Sequence, residues 1–302
     1  MPCGGVPILR DMKNIRSIHK ASEQHWVGDG FPVRTVFHYG DLGEELTPFL
    51  LLDHAGPVQF EPAKAPRGVD WHPHRGFETV TVVYDGEVDH GDTAGNTGSI
   101  GPGDVQWMTA GSGLLHKEFH GPAFTRRGGR FEVLQLWVNL PARLKMTAPQ
   151  YQGLVAADFP TANLADDAGS VRVIAGEFED TKGPARTFTP IRLFDLKLRA
   201  GKNLRLRLGE GWSAGVFVLD GKITVNGAQT AEREELVVLE RAGDEILIEA
   251  ETDAKLFVMS GEPIDEPIAG YGPFVMNTQQ EIRQAMIDLQ TGRMGQIPAL
   301  AQ

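Results

Sequence analysis

The stretch "WHPHRGFETV", residues 71–80, sets His72 and His74 on either side of Pro73, at the head of what reads as a β-strand. A proline lacks the amide donor that a sheet ladder uses, so it is tolerated only at an edge, a bulge or a strand start. Further on, "GLLHKEFH" sets His116 two residues before Glu118. Side chains two apart on a strand point to one face, so each pair presents both members to the same side of a sheet. Two such strands facing each other inside a barrel would supply three imidazoles and a carboxylate. That donor set suits Fe(II), and also Mn, Co, Ni, Cu or Zn, because imidazole tolerates all of them and a single carboxylate selects weakly. Four protein ligands leave one or two positions open on an octahedral metal, where substrate or dioxygen could bind.

The residues leave alternatives open. Glu78 rivals Glu118 as the carboxylate, since it stands four residues after His74 and shares its face if the strand carries no bulge. A His-x-His pair by itself also occurs as a hydrogen-bonded surface pair. The second pair strengthens the metal reading, and all nine histidines fall within the first 120 residues. His90 and Asp92, in an expected turn, and His54, at a strand end, read as surface or supporting groups. Trp71, Phe77 and Trp107 could wall an aromatic pocket but read more simply as core. "TAGSGLLH" has close glycines but no lysine, so it reads as a tight turn delivering His116 rather than a phosphate loop. No Gly-x-Ser-x-Gly elbow occurs, which leaves serine hydrolysis without support.

The elements that must hold these residues are strands. Short apolar runs such as "FPVRTVFHY", "FETVTVVY", "DVQWMT" and "FEVLQLWVN" are each closed by Gly, Pro, Asn or Asp, an all-β pattern. With 302 residues, two domains are expected, a first of 1–140, a connection over 141–170 and a second of 171–302. "NTQQEIRQAMIDLQTG" predicts a helix over 278–291, capped by Asn277 or Thr278 with Glu281 at capping-box spacing. Ile282, Ala285, Met286 and Leu289 share its apolar face. The formal charge of −11 gives no footprint for a nucleic-acid backbone. The lone cysteine, Cys3, excludes an intrachain disulfide and points to a reducing compartment. There is no apolar leader and no run of about 20 apolar residues, so no membrane contact and a cytoplasmic location are expected.

The two halves look duplicated. "VVYDGEV" and "FVLDGKI" are both strand, Asp-Gly turn, strand, and "GPGDVQWM" matches "RAGDEILI" in form. Aligning the first match sets Arg207 and Gly209 against His72 and His74, and aligning the second sets Leu256 and Val258 against His116 and Glu118. One metal per chain, in the first half, is therefore expected.

Taken in order, "HPHRGFETVT", "TGSIGPGDVQWMTAGSGLLHKE", "LQLWVNLP", "PQYQ" and "GPFVMNT" resemble the pirin family of the cupin superfamily, from about Val27 to the last helix. The resemblance implies a bicupin, two antiparallel β-barrel (jelly-roll) domains with a C-terminal α-helix, and one metal, usually iron, in the N-terminal barrel. Carried over position by position, it implies His72, His74, His116 and Glu118 as ligands, which favours Glu118 over Glu78, with Pro73 stiffening the strand head. Phe119 to Val133 matches the family least well and is placed near the pocket mouth. For some members the resemblance implies flavonol (quercetin) 2,3-dioxygenase activity on a small aromatic substrate and O2, with Glu118 also taking the substrate's hydroxyl proton. For others it implies an iron-binding, redox-sensitive module that recognises a protein partner.

Overall fold

The computed structural model describes residues 12–297, and Cys3 lies outside the described residues. The described chain forms two compact units, one of residues 12–20 and 160–263, the other of 21–159 and 264–297. These units are cut differently from the sequence boundaries. The strand Ile15–Lys20 pairs with Glu235–Leu239 in the later unit, and the C-terminal helix belongs to the earlier one. The expected connection contains a strand of each unit: Gln150–Leu154 pairs with Val105–Thr109, and Thr161–Asn163 pairs with Gly169–Ala175. Short pieces like these lack the alternation that reveals a longer strand.

The unit that carries the histidines holds two antiparallel sheets. One has seven strands in the order Gln150–Leu154, Val105–Thr109, Phe77–Asp85, Gly129–Asn139, Phe49–Phe60, Phe31–His38, His25–Val27. The other has four, in the order Gly68–His74, Leu114–His120, Val88–Asp92, Thr97–Ile100. In Leu114–His120 the residues Leu114, His116, Glu118 and His120 are buried while Leu115, Lys117 and Phe119 are half-buried, the period of two that a sheet imposes. Phe31, Phe60, Phe124 and Phe131 pack edge-on or tilted around the His120 ring. Each such side chain contributes roughly 1.5–3 kcal/mol on burial.

The other unit repeats the plan. Its seven-stranded sheet runs Ile15–Lys20, Glu235–Leu239, Ser213–Asp220, Ala254–Gly261, Ile191–Leu198, Gly169–Ala175, Thr161–Asn163, and its four-stranded sheet runs Asn203–Arg207, Glu245–Ala250, Lys222–Val225, Gln229–Glu232. Strand for strand, Gly68–His74 corresponds to Asn203–Arg207, as the Asp-Gly turns indicate. Leu114–His120 corresponds to Glu245–Ala250, however, not to the strand of Leu256 and Val258. The sequence match between the two glycine-aspartate turns therefore joins non-equivalent positions. Neither Asn203–Arg207 nor Glu245–Ala250 contains a histidine.

The helix Gln279–Gln290 forms as its sequence predicts. Thr278 Oγ1 accepts from the Glu281 amide at 3.2 Å, and Glu281 Oε2 accepts from the Asn277 amide at 3.1 Å. Ile282 and Ala285 are buried, but Met286 is exposed and Asp288 is buried in its place, for an electrostatic reason given below. Among the described residues no helix is long and apolar enough to cross a membrane.

Candidate metal centre

His72 and His74 close the edge strand Gly68–His74, so Pro73 stands at a strand end rather than at a strand head. The edge position suits a residue without an amide donor. His116 lies directly across from His72 on the neighbouring strand. The three imidazoles converge: ring centroids are 4.9 Å apart for His72 and His74, 4.2 Å for His72 and His116, and 4.8 Å for His74 and His116. One nitrogen from each ring falls within a group spanning 4.8 Å.

The register between these strands carries a bulge. His116 faces His72, yet Glu118 faces Val69, so the His72 strand holds one extra residue around Asp70 and Trp71. The extra residue turns Val69 inward beside Glu118 and leaves Asp70 exposed. Asp70 still serves the site, because its carbonyl accepts from His72 Nδ1 at 2.9 Å and so leaves Nε2 as the free lone pair.

His74 and His116 are buried, and none of their four ring nitrogens finds a hydrogen-bond partner. The Pro273 carbonyl flanks His74 and favours its proton slightly, but not with hydrogen-bond geometry. Burial, and then the neighbouring histidines, hold both rings well below the usual imidazole pKa and hence neutral. A buried donor or acceptor left unmade costs about 1–3 kcal/mol. Neutral imidazoles with unused lone pairs aimed at one point are what a metal ion requires, so the triad can hold one.

Glu118 shares the inward face with His116 but stands outside the 4.8 Å group. Its Oε2 and Oε1 accept from Gln135 Nε2 at 3.1 and 3.3 Å, and Thr81 Oγ1 approaches Oε1 at 3.5 Å. Burial raises its pKa, opposed by His72, Gln135 and Thr81. Gln135 pairs across the seven-stranded sheet with Asp53 on one side and Thr81 on the other, a polar row facing the imidazoles' strand. Asp53 accepts from Thr35 Oγ1 at 2.7 Å, and burial raises its pKa too. Together with Phe31, Val33, Ala55, Val69 and Val133, this row walls a cavity of about 50 Å³ that reaches His72 and Glu118. Sequence reasoning missed Gln135, Thr81 and Asp53; the one signal was a glutamine inside the otherwise apolar run "VLQLWV".

Glu78 is not part of this arrangement. The strand ends at His74, and Gly76, at φ 91°, turns the chain into the other sheet. A side chain at Gly76 would collide with the Val275 carbonyl. Glu78 is buried in that other sheet, where Oε1 accepts from Trp107 Nε1 at 3.0 Å and Thr109 Oγ1 at 2.7 Å. Burial pushes its pKa up to about 7. The folded state thus favours the protonated carboxyl, and the stability this contributes is full below pH 4.5 and lost as pH rises through about 7. Glu78→Gln should therefore match the wild type in thermal unfolding at pH 5 and exceed it at pH 8. A variant less stable than wild type at pH 8 would contradict this reading.

The other candidates also have definite places. His54 is fully buried, not at the surface, with Nε2 at 3.2 Å from Glu132 Oε1. His90 is buried and bonds Tyr151 Oη at 2.7 Å, and Asp92 accepts from the Ala94 and Asn96 amides at 2.9 Å. Phe77 and Trp107 are core, Phe77 stacking on Trp137 at 4.3 Å, and both Phe77 and Trp137 pack edge-on against His74. Trp71 lies under the Lys117 ammonium, 5.1 Å from it.

The site is anchored from behind. Arg75, next to His74, donates from Nε to the Ser112 carbonyl at 2.7 Å and from Nη1 to Asp288 of the helix at 2.9 Å. Ser112 belongs to the glycine turn that leads into the His116 strand, so one guanidinium ties both histidine-bearing segments to the helix. Asp288 also accepts from Gln284 and Arg293, and Arg293 first among these donors holds its pKa down to about 2. Lys145, fully buried, donates to the Gly76 and Val275 carbonyls and to Asn139 Oδ1, at 2.8, 2.9 and 2.6 Å. Breaking a buried ion pair from one side costs about 3–5 kcal/mol. Asp288→Asn is expected to approach the lower end of that range, since the amide oxygen keeps one acceptor, and to weaken metal affinity by about 10-fold as the turn loosens. Unchanged affinity measured by competition with a chelator would show that the anchor serves folding alone.

A family model described as Pirin matches residues 30–138, and one described as Pirin C-terminal cupin domain matches residues 193–295. The chain is 52% identical over 282 residues to a Pseudomonas aeruginosa protein named as a candidate quercetin 2,3-dioxygenase, covering 93% of this chain and 98% of that one. It is 37% identical over 280 residues to human pirin, covering 91% of each. The crystal structure of a quercetin 2,3-dioxygenase from Acinetobacter baumannii superposes with a TM-score of 0.93 at 49% identity, over 95% of this chain and all of that one.

Proposed function

The chain belongs to the pirin family, and from that premise we propose that it is a metal-dependent dioxygenase of the quercetin 2,3-dioxygenase type, with Fe(II) held by His72, His74, His116 and Glu118 and with a flavonol and O2 as substrates. The observation that carries the reading is the convergence of three imidazoles, two of them buried with partnerless nitrogens, next to a cavity that reaches His72 and Glu118. Mn, Co, Ni, Cu or Zn would suit the same donors.

When bound, the metal supplies a Lewis-acidic redox centre. The chain's own groups do the rest. Glu118 accepts the flavonol hydroxyl proton on a carboxylate oxygen, a role that burial supports by raising its proton affinity. Gln135 and Thr81 donate to those same oxygens, so Glu118 would bind a metal weakly enough to act as a base. Phe31, Val33, Ala55, Val69 and Val133 exclude water and receive the flat apolar rings.

The cavity, about 50 Å³, is well below the ~300 Å³ of ordinary ligand pockets. A flavonol must therefore displace part of the wall, and Val27, on the exposed three-residue edge strand His25–Val27, is the wall residue at a sheet edge. That narrowness favours a second reading, in which the iron site is a redox-sensitive module that recognises a protein partner without turnover. Anaerobic purification with metal analysis, then oxygen uptake on a panel of flavonols with Fe, Mn, Co, Ni and Cu, tests the proposal. Metal-dependent uptake supports the dioxygenase, and flat uptake with every metal would transfer the case to the binding module.

A further inference from the structure

The strand that presents His116 and Glu118 inward presents Lys117 and Phe119 to its other face. There a much larger cavity opens, about 760 Å³, within the range of ordinary small-molecule sites. Its floor is the four-stranded sheet, with Asp89, Lys117 and Phe119 from the outer face, and His90 and His120 also border it. Lys64 and Pro66 border it from the loop after Phe49–Phe60, and Pro122 and Arg126 from the short helix Pro122–Arg127.

The charge of this lining runs against that of the protein. The chain carries a formal charge of −11, yet Lys64, Lys117 and Arg126 meet here against one carboxylate, Asp89. Asp89 is already engaged by the Ser99 hydroxyl. None of the three cations forms an ion pair among the described residues. The Lys117 ammonium is instead laid along the sheet, 5.1 Å from the Trp71 ring and 6.0 Å from the Phe119 ring. Excess positive charge, three cations to one carboxylate, set beside an aromatic ring and two prolines, defines the complement of its ligand.

We propose that this cavity is a second binding site, for a small carboxylate with a flat aromatic body. The carboxylate meets Lys64, Lys117 and Arg126, with Arg126 able to grip both oxygens. The ring lies against Phe119, Pro66 and Pro122. The site is distinct from the metal centre in that Lys117 and Phe119 leave the shared strand on the face opposite His116 and Glu118, and only His90 and His120 of the lining belong to the inward-facing set.

The probe is 2-naphthoate, titrated into the metal-loaded full chain by calorimetry, with the neutral 2-naphthalenemethanol as its uncharged counterpart. Saturable 1:1 binding is expected, equal in metal-loaded and metal-free protein. The double charge reversal Lys64→Glu with Arg126→Glu should weaken it by about 10-fold or more, and the alcohol should bind at least as much more weakly, since each tenfold is a modest loss of electrostatic attraction. Surface substitutions of this kind change stability little, and an unchanged unfolding curve confirms that the fold is intact. Two results would overturn the site. One is absence of saturation at about 1 mM, the weak end of specific binding. The other is binding that disappears with the metal but survives the charge reversal, which would place the naphthoate on the imidazole cluster.

Discussion

Glu118→Gln is expected to retain the metal and to lose flavonol turnover by about 100-fold or more, the scale of a lost general base. The introduced amide oxygen can still face Gln135 Nε2, now 3.1 Å from the carboxylate, and three imidazoles remain. What the amide lacks is a lone pair basic enough to take a hydroxyl proton at neutral pH. Metal content by elemental analysis and oxygen uptake at saturating flavonol separate the two effects. Glu78→Gln provides the contrast, because Glu78 is bonded to Trp107 and Thr109 in the opposite sheet and should be dispensable for both. A fully active Glu118→Gln together with an inactive Glu78→Gln would reverse the assignment.

The second large effect concerns His116→Leu, where two stabilities should cross. In metal-free protein the variant replaces a buried imidazole whose nitrogens have no partner with an apolar side chain of similar size. It should be more stable than wild type by about 1–3 kcal/mol, the cost of the unmade bonds. Adding metal should then stabilise only the wild type, by about 4 kcal/mol at a thousandfold excess over Kd. In a unit of this size each kcal/mol moves the melting temperature by roughly 2–4 °C. Thermal unfolding of both proteins, with chelator and with Fe(II) under anaerobic conditions, reads all four states. A variant that still gains stability from metal would remove His116 from the ligand set.

Much of the site was legible because strand parity is a local property. His-x-His and His-x-Glu must each face one way whatever the rest of the chain does, and the alternation in Leu114–His120 follows. The helix was legible for the same reason, its cap and Glu281 lying within one turn of each other. Parity failed between His74 and Glu78, because Arg75 and Gly76 carry the chain from one sheet to the other. It failed for the helix face as well. A polar residue, Asp288, replaces Met286 in the buried stripe because a guanidinium 213 residues away in sequence needs a counter-charge there.

The sequence by itself determined the β class, the duplicated halves, the confinement of all nine histidines to the first of them, and the family to which the motifs point. Only the tertiary structure showed that Glu118 shares the inward face with His116 while Glu78 is held in the other sheet, and what surrounds each. A one-residue bulge beside His72 sets Val69 rather than Asp70 against Glu118. The Glu118 partners Gln135 and Thr81, and Asp53 beside Gln135, come from three separate strands of the opposite sheet. The exchange of Ile15–Lys20 and of the C-terminal helix between the units was likewise invisible in the sequence. The physical reason is common to all of these. Side-chain alternation is set by each residue's own backbone, whereas strand neighbours, register and bulges are set by pairing between distant segments, whose energies no local pattern records.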